Sequence, residues 1–218
     1  MIFVNFKTYK EATGVKAVEL VRILSNCQAT TKIPIVPVVQ ATDIRSSTIA
    51  TLYTIWAQHV DSAEQGQFTG WVTPEAVSEA GATGTLLNHS EHKLEGGQLK
   101  EVIKRCQKAG LGTLVFASNL EELEKVAKLK PTYVAFEPPE LIASKETSVA
   151  KAKSDEIVKA VEIAKEARIP LVVGAGIQDK EDVAKSLELG AQGVAVSSAI
   201  VLSENPKKVV LALAEGFD

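Results

Sequence analysis

GVAV, Gly193–Val196, is the last apolar run of strand character in the chain, and whether it has a neighbour on both sides decides the fold. Seven similar runs come before it, each followed by a stretch of helical character. IFVNF, Ile2–Phe6, leads to Lys7 and then to a helix from about Val15 to Cys27, where Val18, Val21 and Ile23 alternate with Lys16, Glu19 and Arg22. IPIVPVV, Ile33–Val39, is apolar on both faces, as a covered parallel strand should be. A helix over Thr42–Leu52 with a Thr or Asp cap follows, and then IWAQHV, a strand over Thr54–Val60. Pro74 opens a short helix at the favoured first-turn position, and TGTLL ends at Leu87 just before Asn88, His89 and Ser90.

The second half repeats the pattern. A helix over Gly97–Ala109 closes on Gly110, LGTLVFA supplies a strand over Leu111–Ala117, and Asn119 is placed to cap LEELEKVAKL. TYVAFE, Thr132–Glu137, ends on a carboxylate before two prolines, and Pro138 biases Glu137 away from helical dihedrals. A loop to about Lys153 leads to a helix capped by Ser154 and ending near Arg168; PLVVGAG, a helix over Asp179–Leu189, GVAV and a helix over Asn205–Phe217 complete the chain. Eight strand–helix units at roughly 27 residues each match the βαβ repeat length. They predict an α/β fold, a closed eight-stranded parallel (β/α)8 barrel. The alternative, an open doubly wound sheet, needs GVAV at an edge, yet no strand is polar enough for that position. No linker or composition shift divides residues 1–218, so a single domain is expected.

A net charge of -3 argues against a nucleic-acid partner, because a phosphate-backbone footprint needs clustered cations. No apolar run is long enough to span a bilayer and no charged leader precedes the first strand, so a cytoplasmic protein without a membrane partner is expected. Cys27 and Cys106 lack metal-ligand spacing and read as reduced structural thiols, and His59 and His92 give no metal-binding pattern. No metal or cofactor is expected.

In a barrel of this kind the site lies at the carboxyl ends of the strands. Those ends carry Asn5 and Lys7, His89, Glu137, Gly174 and Gly176, and Ser197 with Ser198. Singly, each has a plain explanation: a strand-end turn for Asn5, a solvated charge for Lys7, a satisfied polar group for His89, tight turns for the glycines. Together they bring a carboxylate, an imidazole, an ammonium and two anion-binding turns to one mouth. That set suits proton abstraction beside a carbonyl on a phosphorylated substrate.

The pieces VNFKTY, AQHVDS, GQFTG, GATGTLLNHSEH, FEPPELI, VVGAGI and GVAV, in this order and over essentially the whole chain, resemble the triosephosphate isomerase family in its short archaeal form. The resemblance implies a TIM barrel that interconverts dihydroxyacetone phosphate and glyceraldehyde 3-phosphate through an enediolate, a step of glycolysis and gluconeogenesis. It implies that Glu137 is the base, that His89 polarises the carbonyl, that Lys7 offsets negative charge and that Asn5 orients the substrate. This family is itself the standard example of a carboxylate base paired with a neutral imidazole. Ala143, Gly174, Gly176, Ser197 and Ser198 are then the phosphate-binding positions. The Gly66–Gly70 loop is implied to enter a neighbouring subunit of a homo-oligomer, dimer or tetramer, with Thr69 near the neighbour's Asn5. Three departures stand out: Ala143, Ser144 and Lys145 where the family has the Gly-Thr-Gly tip of a lid, two serines for the glycines after the last strand, and Trp71 where many relatives have a glutamate. Another sugar-phosphate isomerase or epimerase, or a lapsed barrel that only binds phosphorylated metabolites, are the competing readings.

Overall fold

The computed structural model describes residues 1–95, 97–139 and 148–217. In chain order the first half comprises strand β1 (Ile2–Asn5), helix α1 (Val15–Thr31), β2 (Ile35–Val39), α2 (Ile44–Ile49), β3 (Trp56–Ala57), α3 (Pro74–Glu79), β4 (Gly84–Leu87) and α4 (Gln98–Lys108). The second half comprises β5 (Gly112–Ala117), α5 (Leu120–Ala127), β6 (Tyr133–Phe136), α6 (Val149–Ala152), α7 (Ser154–Ala167), β7 (Leu171–Val173), α8 (Lys180–Glu188), β8 (Gly193–Val196), α9 (Ser198–Val201) and α10 (Pro206–Ala214). GVAV has partners on both sides. It runs parallel to β7, with Val173 opposite Val194, and parallel to β1, with Phe3 opposite Ala195. The sheet therefore closes in the order β1 to β8, and the open-sheet alternative is excluded.

Side chains alternate across each strand, so one set fills the barrel and the other meets the helices. Phe3, Val36, Val38, Trp56, Leu86, Leu114, Phe116, Ala135 and Val172 form the interior cluster. Their chain neighbours Ile2, Val4, Leu87, Val115, Val134, Phe136, Val173 and Val194 belong to the layer packed against the helices. Inside the barrel the Trp56 ring fits only because two inward positions carry no side chain: a Cβ on Gly84 would lie 2.3 Å from Trp56 Cε2, and one on Gly112 would lie 3.1 Å from its Cζ2. Phe3 and Tyr133 complete this plug, with ring centroids 5.1 and 6.0 Å from Trp56.

Among the described residues, four helix starts carry side-chain caps. Thr73, Asn119, Asp179 and Asn205 accept from the third amide that follows each of them, at the heads of α3, α5, α8 and α10, and each such bond stabilises its helix by about 1 kcal/mol. Ser154 does not act as the cap that its sequence position suggests. The turn α6 ends just before it, so its hydroxyl donates to Ala150 O, and Lys153 occupies the cap position, its side chain pairing with Glu156 instead of capping an amide. β3 is shorter than IWAQHV because the chain folds back after Gln58: the Asp61 amide donates to Val72 O, and Asp61 Oδ2 accepts from Val72 N–H. Cys27 and Cys106 are both buried and free, and burial pushes the Cys106 thiol up to about 12, which leaves it inert at neutral pH. No helix among the described residues is long and apolar enough to cross a membrane, and none of their His, Cys, Asp and Glu side chains form a group of three or more that could hold a metal ion.

Candidate active site

The alternation that builds the interior also aims the strand ends. Phe3 points inward, and two residues on so does Asn5; Ala135 points inward, and two residues on so does Glu137. A cavity of about 450 Å³ at this mouth is lined by Asn5, Lys7, His89, Glu137, Gly176, Ser197 and Ser198, together with apolar Phe116, Ile177 and Leu202. By alternation alone His89 would face the helices, as Leu87 does. Asn88 breaks the alternation by adopting φ 59°, and the imidazole swings over the barrel.

Glu137 and His89 are the two buried titratable groups here, 8% and 7% exposed. Burial pushes the Glu137 carboxyl up to about 7, with Lys7 pulling down, Glu91 pushing up and Lys93 pulling down. Burial likewise drives His89 down to about 4, against Glu91 and together with Lys7 and Lys93. His89 Nδ1 accepts the Glu91 amide proton at 3.1 Å, which places the proton of the neutral ring on Nε2. Nε2 lies 3.2 Å from Glu137 Oε2, but the alignment is not that of a hydrogen bond, and Oε2 has no hydrogen-bond partner among the described residues. A buried carboxylate oxygen left unsatisfied beside a neutral N–H donor marks a candidate functional group. The edge of Phe116 packs on the imidazole, with centroids 4.9 Å apart.

Lys7 is held in a left-handed conformation, φ 46°, by bonds on every side. Its amide donates to Asn5 Oδ1 at 3.0 Å, its carbonyl accepts from Gln58 Nε2 at 2.8 Å, and its ammonium donates to Glu91 Oε1 at 2.6 Å. Ala175, at φ 75°, is a third non-glycine in this region, so strained residues follow β1, β4 and β7 at the same mouth. Strain of this kind costs of order 1–3 kcal/mol and concentrates where function over-determines the backbone.

After β7 and β8, the next strands round the barrel from the carboxylate's β6, Gly176 turns with φ 70° and Ser198 opens α9, whose first amides have no intrahelical acceptor. Ser197 Oγ is buried without a hydrogen-bond partner among the described residues. Gly174 is placed differently from the other glycine: it does not line the cavity but backs Glu137, and a Cβ there would lie 2.8 Å from Oε1. Ala143 and the departures at Ser144 and Lys145 lie outside the described residues. Sequence reasoning missed Tyr9, which lines the cavity, and Gln58, which holds Lys7; neither residue type carries a local signal. It also missed α9, four residues being too short to show a period.

A model of the triosephosphate isomerase family matches residues 1–214. The chain belongs to the triosephosphate isomerase family. The triosephosphate isomerase of Metallosphaera sedula is 39% identical over 99% of this chain and 95% of its own, and that of Methanopyrus kandleri is 41% identical over 100% and 97%. The triosephosphate isomerase of Saccharolobus solfataricus is 41% identical over 96% and 92%. A crystal structure of triosephosphate isomerase from Bartonella henselae aligns with TM-score 0.78 over 99% of this chain and 98% of that one; at 15% identity this likeness speaks for the fold alone. Within the triosephosphate isomerase family frame, Ser197 and Ser198 give the β8 turn two hydroxyls that glycines would lack.

Proposed function

We propose that this chain interconverts dihydroxyacetone phosphate and glyceraldehyde 3-phosphate, with Glu137 as the base that carries a proton between the two carbons. The observation that carries this reading is the buried Oε2 of Glu137, without a hydrogen-bond partner among the described residues, next to the Nε2 proton of a neutral His89. Glu137 removes the proton from the carbon beside the carbonyl, and the electron pair moves onto the carbonyl oxygen to form an enediolate. His89 Nε2–H donates a hydrogen bond to that oxygen, and the Lys7 ammonium offsets the charge that develops there. A proton then shifts from the other enediol oxygen to this one, and protonated Glu137 returns its proton to the former carbonyl carbon as the electron pair on the deprotonated oxygen forms the aldehyde. Asn5 fixes the Lys7 amide and orients the substrate. Gly176, Ser197 and Ser198 bind the phosphate at the ends of β7 and β8 through amides and hydroxyls, and the family resemblance adds Ala143 to the set.

Phe68 and Trp71 support assembly into a homo-oligomer, dimer or tetramer, through the Gly66–Gly70 loop. Both are about half exposed, at 45% and 49%, and their rings meet edge to face 5.9 Å apart at the tip of a loop whose base is clamped by Asp61. An aromatic pair presented in this way is an interface more than a monomer surface.

A coupled isomerisation assay on the purified chain tests the reaction. Turnover in both directions is expected, and its absence with either triose phosphate rejects the reading. Glu137→Ala should then reduce kcat by about 10³-fold or more while a phosphate-bearing inhibitor still binds; equal loss of binding and turnover assigns Glu137 to positioning instead.

A further inference from the structure

We infer that Glu122, on α5 and 33 residues away from His89 in sequence, is a positioning residue for the reaction: it holds the turn that aims the imidazole. The inference rests on the isomerase reading above. The turn from Asn88 to Leu94 is closed by one side chain, since Asn88 Oδ1 accepts the Leu94 amide at 3.1 Å. The other end of that amide group faces β5 and α5, donating to Phe116 O at 2.9 Å and to Glu122 Oε1 at 2.8 Å. Lys93, in the same turn, donates to both oxygens of Glu122 at 2.8 and 3.0 Å. Glu122 is in turn fixed by the Ser118 amide, which donates to Oε2 at 2.7 Å. One carboxylate thus receives both polar ends of the turn that carries His89.

The geometry gives this carboxylate a task beyond capping. At the third position of α5 a glutamate commonly reaches back to the backbone before its helix, and the Ser118 bond does that. The bonds to Asn88 and Lys93 add nothing to α5; they fix a residue in a left-handed conformation one position before His89. That conformation is what turns the imidazole from the helix side to the cavity, and the Glu91 amide that sets its tautomer belongs to the same turn. The net effect of Lys93, Ser118 and Asn88 outweighs partial burial and keeps the Glu122 carboxyl below its ordinary range, so it stays ionised and paired through neutral pH. Glu122 is not among the residues that line the cavity, so its effect runs through the turn.

The test uses the full chain and two readouts. In Glu122→Ala, kcat should fall by about 10- to 100-fold, because a displacement near 1 Å of a positioned group costs that much. KM for the triose phosphate should stay within about threefold, since the proposed phosphate site is untouched. Nitrogen-15 NMR of the histidine rings should show His89 losing its single neutral Nε2–H form. Glu122→Gln, whose single acceptor oxygen can serve Asn88 or Ser118 but not both, should recover only part of kcat and of the His89 signals. The Glu122→Ala and Asn88→Ala losses should not multiply in the double variant, because both act through one turn. If Glu122→Ala does not fold, Lys93→Met leaves the Ser118 bond in place and reads the same turn. Unchanged kcat and unchanged His89 signals in Glu122→Ala, or in Lys93→Met where the alanine variant is lost, overturn the inference, as do losses that multiply. Absence of turnover in the unsubstituted chain removes the isomerase reading, while the His89 signals still decide whether Glu122 places the ring.

Discussion

Nε2 of His89 and Oε2 of Glu137 stand 3.2 Å apart without the alignment of a hydrogen bond, in a setting that drives their proton affinities in opposite directions from their solution values. A hydrogen-bonded pair would satisfy both groups and hold them to each other. Here neither group satisfies the other although both residues line the cavity, and burial supplies the driving force for each shift. Acid and base roles separate where environments separate the proton affinities.

The first consequence is a pH–rate profile with one rising limb. Glu137 must be ionised to accept a proton, and its carboxyl is raised to about 7, whereas His89 stays neutral down to about 4. kcat/KM should therefore climb with a midpoint near 7 and show no histidine limb between pH 5 and 9. Steady-state rates across that range check this; a midpoint at the ordinary carboxylate value of 4.5 would mean that burial does not set the base.

Gly174 and Gly176 should give opposite kinetic signatures although they lie two residues apart. Gly174 does not have a positive φ, so alanine fits its backbone, but the new Cβ meets Glu137 Oε1 at 2.8 Å and must displace it. Gly174→Ala should lower kcat by about tenfold or more with little change in KM. Gly176 has φ 70° and lines the cavity where we propose the phosphate binds, and Gly176→Ala should chiefly raise KM. Similar kcat and KM effects in the two variants would refute this division.

Much of this site is legible in the sequence because strand alternation and strand ends are. TYVAFE stops at Glu137 before two prolines, and two-residue alternation alone carries the inward face from Ala135 to Glu137. His89 is different: its position depends on the left-handed conformation of Asn88, which an Asn-His pair does not announce. Glu122 reads as an ordinary first-turn acid in LEELEKVAKL, because bonds that reach 29 and 34 residues back leave no local pattern. The Ser154 cap was misread for a related reason, a preceding helical turn taking the hydroxyl.

Trp56 makes the barrel interior sensitive at a position that looks innocuous. Gly84→Ala puts a methyl 2.3 Å from the indole in a plug already closed by Phe3 and Tyr133, so the ring must leave its place. Overpacking of this kind costs about 1–3 kcal/mol, and urea unfolding should show a loss in that range together with a shift in tryptophan emission. Wild-type stability in Gly84→Ala would show that the plug yields freely.

Phe68→Ser should reduce the mass of the assembly. Phe68 and Trp71 offer a loop tip with two half-exposed rings, and removing one leaves the other without its edge-to-face partner. Light scattering on the variant should report a smaller species than on the unsubstituted chain; an unchanged mass places the interface elsewhere.

The buried carboxylate should also make stability depend on pH in a way that Glu137→Gln reverses. Between 4.5 and about 7 the folded chain keeps a proton on Glu137 that the unfolded chain has released, so raising the pH through this window destabilises the fold. His89 acts oppositely: between 6.5 and about 4 the unfolded chain takes up a proton that the folded chain refuses, so lowering the pH through that window destabilises it. Where the windows overlap, from 4.5 to 6.5, the two slopes offset each other, and the pair contributes a nearly flat profile. Glu137→Gln removes one slope and exposes the other. Its stability should rise from pH 4.5 to 6.5, and its advantage over the unsubstituted chain should widen to at most about 3 kcal/mol above pH 7. Urea unfolding of both chains at pH 5 and pH 8 measures the gap; a gap of the same size at both values would mean that Glu137 is not held protonated by the fold.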